Sequence, residues 1–295
     1  MRHAPAELLL DARAFLGEGP AWDSAHGRLY WVDIFAGHLH TFEPNSRTDE
    51  IVNVGRWLGC AAPTRSGDVI LGLRDGIAIL ELNSARLEYL ASPEEHLPGN
   101  RFNDGKCAPD GRFLAGTMDN AELMSNGSLY SLGPGGKLKT LRGGIGISNG
   151  LAFSPDGHRL YFIDTPTRKV TAYDYDVSSG EISNPRIAIS VPEELGWPDG
   201  MTSDVDGHLW MALWGGAGLA VWDPEKGTLL EKIELPAKNV TSCVFGGSEL
   251  DELFITTARK GLESSELNAY PSSGGLFHLQ TDVRGMPTFA FDDQA

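Results

Sequence analysis

Apolar residues in this chain come in short runs rather than at helical spacing. Six of the runs, Leu29-Tyr30-Trp31-Val32, Val69-Ile70-Leu71, Phe113-Leu114-Ala115, Leu160-Tyr161-Phe162-Ile163, Leu209-Trp210-Met211-Ala212 and Leu253-Phe254-Ile255, begin 40, 44, 47, 49 and 44 positions apart. Gly, Pro, Asn and Asp, the residues that tight turns require, bound them, so each reads as a buried strand. One pair of repeats aligns without a gap: Glu18 to Trp31 lies over Asn149 to Phe162, each a short strand, a Gly turn and a second strand. Third and fourth strands follow in most copies, as at Gly127 to Leu132, Val170 to Tyr175, Gly218 to Trp222 and Gly275 to Leu279. A period in the forties with four short strands per copy is that of a propeller blade, so the expected fold is an all-β, six-bladed β-propeller over residues 1–295 as a single domain. A β-sandwich with strands of similar spacing would not produce the repeat. Closing the ring needs an outer strand for the last blade, and the segment around Leu8 to Phe15 is placed to supply it.

Repeat position predicts proximity in such a fold, because the innermost strands of all blades line one channel. Counting back from the second strands, Glu18 lies 11 before Leu29, Asn149 11 before Leu160, Asp199 10 before Leu209 and Asn103 10 before Phe113. In the other two copies the position falls near Gly59 and Cys243, leaving an open side. Two carboxylates and two amides turned into a channel are costly to desolvate unpaired, and a bound cation removes that cost. An all-oxygen donor set suits Ca²⁺, Mg²⁺ or Mn²⁺, with Zn²⁺ or Fe²⁺ tolerated where water completes the shell. The competing reading, Asx residues capping turns, explains any one Asx but not Glu18.

Composition narrows the partners. With 24 Lys and Arg against 40 Asp and Glu the formal net charge is -16, which repels a phosphate backbone and an anionic leaflet alike. Neither nucleic acid nor a membrane is an expected partner, and no obligate protein partner is evident. Around the apolar triplet Leu8-Leu9-Leu10 stand Glu7 and Asp11, so no signal-peptide stretch is read there. Cys60, Cys107 and Cys243, odd in number and far apart, read as buried thiols in a reducing compartment. The expected location is the cytoplasm. His26, His158 and His208 stand beside turn glycines and read as structural or exposed, and the Tyr and Trp of the second strands read as blade-to-blade packing.

Leu16-Gly-Glu-Gly-Pro-Ala-Trp22, Arg101-Phe-Asn-Asp-Gly-Lys106, Ala115-Gly-Thr-Met118, Ser148-Asn-Gly150, Pro198-Asp-Gly-Met201 and Phe245-Gly-Gly247 occur in order over essentially the whole chain. Together they resemble the senescence-marker-protein (regucalcin)/gluconolactonase/luciferin-regenerating-enzyme-like family. The resemblance implies a six-bladed propeller lactonase that needs one divalent metal and opens a sugar aldonolactone to the aldonic acid. It implies Glu18, Asn149 and Asp199 as metal ligands, Asp199 also as general base, and Arg101 and Asn103 as substrate contacts. Where animal members carry a substrate-contacting Glu, this chain has Ala121. Asp119 is taken as the replacement, with Glu122 as its rival. Leu213-Trp-Gly-Gly216 and Thr256-Thr-Ala-Arg-Lys-Gly261 are similar to the bacterial sugar-lactonase branch, which favours pentonolactone over gluconolactone. The alternative from another class is a non-enzymatic binding propeller with a structural metal.

Overall fold

The computed structural model describes residues 3 and 5–294; of the expected 1–295 span, residues 1, 2, 4 and 295 lie outside the described ones. Among the described residues the strands form six four-stranded antiparallel sheets, arranged as a six-bladed β-propeller. The innermost strands are Gly17–Asp23, Leu58–Pro63, Asn100–Cys107, Ser148–Phe153, Trp197–Ser203 and Asn239–Gly246, and in five blades the sheet order follows the chain outward from them. The six apolar runs of the sequence are the second strands. In the sixth blade the outer strand is Glu7–Leu10, with Glu7 opposite His278 and Leu8 opposite Phe277. The strand Glu7–Leu10 thus closes the ring and covers the edge that the last blade would otherwise expose.

Six apolar clusters fill the gaps between neighbouring blades. Tyr30 packs with Leu58 and Val69 across the first gap, Trp210 with Val240 and Phe245 across the fifth, and Trp22 with Val244 and Phe254 across the closing one. The expected blade-to-blade role of the second-strand aromatics is met. All three cysteines are buried and free, and burial pushes their thiols up. Packing strength therefore lies between blades, which leaves the axis free to be polar.

Each inner strand carries one register shift against its second strand, between Glu18/Ala21, Leu58/Cys60, Phe102/Gly105, Asn149/Leu151, Pro198/Met201 and Val240/Ser242. A β-bulge re-aims the side chains around the extra residue, and the residues expected to face the channel lie at these bulges. Glycine follows three of them: Gly19 takes a left-handed φ of 52, and at Gly150 and Gly200 the strands approach closely. A Cβ on Gly150 would meet the Asp199 carbonyl and one on Gly200 would strike the Ser242 side chain. In the sixth blade the bulge falls at Thr241, not at Cys243. The Cys243 residue sits opposite Ile255 in the regular ladder, and its Sγ reaches the Trp210 carbonyl at 3.3 Å.

A short helix, Ser264–Ala269, lies in the loop between the second and third strands of the sixth blade. It is capped reciprocally by Glu263 and Glu266 and is too short to leave a periodic apolar pattern. No helix of the described residues is long and apolar enough to cross a membrane.

Candidate metal and active site

Glu18, Arg101, Asn103, Asn149 and Asp199 all line one cavity of about 470 Å³ at one end of the channel. All five are buried and make its floor. They come from four blades, so no local segment could have assembled them. A hydrogen-bonded chain holds the neutral members: Asn103 donates Nδ2 to the Ser148 carbonyl at 2.8 Å and to Asn149 Oδ1 at 3.3 Å. Asn149 in turn donates Nδ2 to Thr165 Oγ1 at 3.0 Å, and that hydroxyl donates to the Pro198 carbonyl at 2.9 Å. The Asn149 amide is thereby fixed with its oxygen on the Asn103 side. Thr165 left no signal in the sequence reading, since it lies in a turn outside the inner strands.

The charges are concentrated and poorly solvated. Glu18 accepts the Gly19 backbone N–H at 3.0 Å, yet burial, reinforced by the Asp104 charge, raises its carboxyl well above the usual range. Burial raises Asp199 as well, with Glu18 and Asp104 adding to it. Its Oδ1 is buried without a hydrogen-bond partner. Arg101 is pushed down to about 10 by burial, against the pull of Glu18, Glu122 and Asp199. Beside these residues Asp104 is buried and Lys106 half-buried, and Lys106 Nζ donates to the Met201 carbonyl at 2.9 Å. Asn103-Asp104-Gly105, a spelling that also suits a turn, lies in a bulged strand.

These residues fit a divalent cation. Two buried carboxylates, each raised by burial, an orphaned carboxylate oxygen and a fixed amide oxygen form a hard donor set lacking only its positive charge. No group of three or more His, Cys, Asp or Glu side chains placed to hold a metal occurs among the described residues. An ion here would therefore rely on amide oxygen beside the two acids.

Asp119 is not brought to the cavity. Its carboxylate accepts the backbone N–H groups of Leu123, Ala121 and Met124 at 3.1, 3.2 and 3.1 Å, which hold it below the ordinary carboxylate range. Glu122, the rival, does line the cavity. It sits in the left-handed region at φ 59 in the loop that Asp119 staples, and it pairs with Lys260 Nζ at 2.9 Å across the mouth. The three turn histidines stay outside: His26 binds Asp23 at 2.7 Å and His208 binds Asp204 at 3.1 Å, while His158 is exposed.

The profile of the SMP-30/Gluconolactonase/LRE-like region matches residues 16–259. A Bacillus subtilis protein provisionally named sugar lactone lactonase YvrE is 38% identical over 97% of this chain and 98% of its own. Among solved structures, a calcium-binding protein, regucalcin, from Agrobacterium tumefaciens superposes with a TM-score of 0.93 at 29% identity, covering 98% of this chain and 97% of that one. A luciferin-regenerating enzyme gives 0.92 at 32% identity over 99% and 100%.

Proposed function

Since the chain belongs to the SMP-30/Gluconolactonase/LRE-like family, we propose that it opens a sugar aldonolactone, a pentono- or gluconolactone, with one divalent cation at the channel floor. The observation that carries this reading is the buried, unpartnered Asp199 Oδ1 beside Glu18 and Asn149, in a cavity with room for substrate. Glu18, Asn149 and Asp199 would hold the ion. A divalent cation supplies Lewis-acid charge to a lactone carbonyl oxygen, where negative charge develops as water attacks.

Asp199 is the base. Its carboxylate lines the cavity and its Oδ1 has no hydrogen-bond partner in the protein, which suits a group that must accept a proton from water. The water oxygen bonds to the carbonyl carbon and the ring C–O bond breaks. The proton held by Asp199 passes to the departing ring oxygen, giving the open hydroxy acid. Arg101 and Asn103 would hold ring hydroxyls, and Glu122 takes the contact first assigned to Asp119, because it is the acid that lines the cavity. A purely structural ion would be enclosed by protein on all sides, whereas these ligands border open space.

Lactone opening by the purified chain, followed as acid release with and without chelator, tests the reading. Activity that survives complete removal of divalent metal removes the cation, and no opening of any aldonolactone removes the function.

A further inference from the structure

The cavity does not end at its polar floor. Above it, Leu16, Met118, Ile147, Pro166, Trp197 and Trp214 form an apolar belt, and Lys260 with Glu122 stands at the rim. Trp197 is 42% exposed, although the other six residues of its strand are buried. It is held in place from an unusual position. Arg168, in the left-handed region at φ 56, lays its guanidinium 3.8 Å from the Trp197 ring centroid and donates Nη1 to the Gly196 carbonyl at 2.8 Å. The stacked guanidinium and its bond to the Gly196 carbonyl fix the indole at the mouth. Trp214 lies opposite Trp197 in the ladder, so the two indoles share one side of the mouth. A cavity of about 470 Å³ also falls within the ~300–1,000 Å³ of sites that enclose drug-sized ligands. One aldonolactone leaves much of it empty.

We propose that this belt is a second sugar subsite, and that the preferred substrate is a glycosylated aldonolactone whose outer sugar ring lies on Trp197 with its hydroxyls toward Lys260 and Glu122. This rests on the lactonase reading of the floor. A pyranose ring presents an apolar C–H face to an indole and a hydroxyl edge to charged groups, which matches an aromatic ledge faced by an accessible Lys–Glu pair. An alkyl tail would match the belt but leave the charged rim unused.

The test uses the full chain with Mn²⁺ and four probes: glucono-1,5-lactone, cellobionolactone, melibionolactone and δ-undecalactone. At least one disaccharide lactone should be opened with kcat/KM equal to or above that of gluconolactone. Trp197→Ala should lower the disaccharide-to-monosaccharide ratio of kcat/KM at least tenfold, while Trp197→Phe, which keeps a ring, should hold it within threefold. If gluconolactone is opened but both disaccharides are more than tenfold poorer, or if Trp197→Ala leaves the ratio unchanged, the subsite is wrong and the lactonase reading stands. A preference for δ-undecalactone that Trp197→Ala abolishes makes the belt an alkyl site and overturns the sugar assignment. No opening of any probe overturns both readings.

Discussion

Replacing Arg101 with Ala separates substrate recognition from support of the charged floor. The side chain is 3% exposed, and its hydrogen bonds within the described residues use Nε, to Asn120 Oδ1 at 3.1 Å, and Nη1, to the Phe102 carbonyl at 3.1 Å and Asn103 Oδ1 at 2.6 Å. Nη2 is left uncommitted in a cavity-lining residue. A hydrogen bond to a charged group contributes about 1.5–3 kcal/mol. Since about 1.4 kcal/mol is tenfold in rate, losing one such bond to a ring hydroxyl lowers kcat/KM for gluconolactone roughly ten- to hundredfold. δ-Valerolactone has the same ring without hydroxyls, so its kcat/KM should fall by less than about threefold. Arg101→Lys keeps the charge without the planar fork and should lie between the two. Steady-state acid release on both lactones, with calorimetric metal titration of each variant, gives the result. Equal proportional loss on both lactones would refute the hydroxyl contact, because Arg101 would then act by offsetting the Glu18 and Asp199 charges.

Asp199→Asn should lose more than a hundredfold in kcat while metal affinity falls less, because the amide keeps one ligand oxygen but cannot accept the proton; turnover within about tenfold of wild type removes Asp199 as base. Glu18→Gln and Asn149→Ala should each weaken metal binding at least tenfold by calorimetry, and wild-type affinity in both would sink the ligand assignment. Chelation should lower the melting temperature, since an ion bound only by the folded state stabilises it by mass action; metal at 100 times its Kd contributes about 2.7 kcal/mol. Gly59→Ala should destabilise by about 1–3 kcal/mol, measured as a fall in the thermal midpoint, because its Cβ would strike the Phe102 carbonyl of the neighbouring inner strand.

The repeat made the architecture legible because every second strand is buried on both faces and so must be apolar, from Leu29 to Leu253. The channel positions were legible for a different reason. Glu18, Asn149 and Asp199 each stand at a bulge and are each followed by Gly, so they carry the same neighbour at the same place in the repeat. The sixth blade broke this count because Thr241 takes the bulge, and its hydroxyl donates to the Gly17 carbonyl at 2.6 Å within the wall. Asp104 and Lys106 were hidden because a bulged strand and a turn share the same Asn-Asp-Gly spelling.

The rim was not legible, and the choice between Asp119 and Glu122 shows why. Asp119 stands two residues before Ala121 and Glu122 one after it, so distance along the chain does not decide between the first choice and its rival. The decision lies in a loop conformation: three backbone N–H groups converge on Asp119, which turns the chain so that Glu122 takes a left-handed φ and meets Lys260 from another blade. Asp119 thus acts through the loop, by aiming the acid that faces the cavity. On that argument Asp119→Ala should raise KM for gluconolactone by loosening the loop, whereas Glu122→Gln should do so with the loop intact. Hydrogen exchange of the Leu123 and Met124 amides distinguishes them: faster exchange in Asp119→Ala alone supports the assignment, and equal exchange in both variants returns Asp119 to the list of direct contacts.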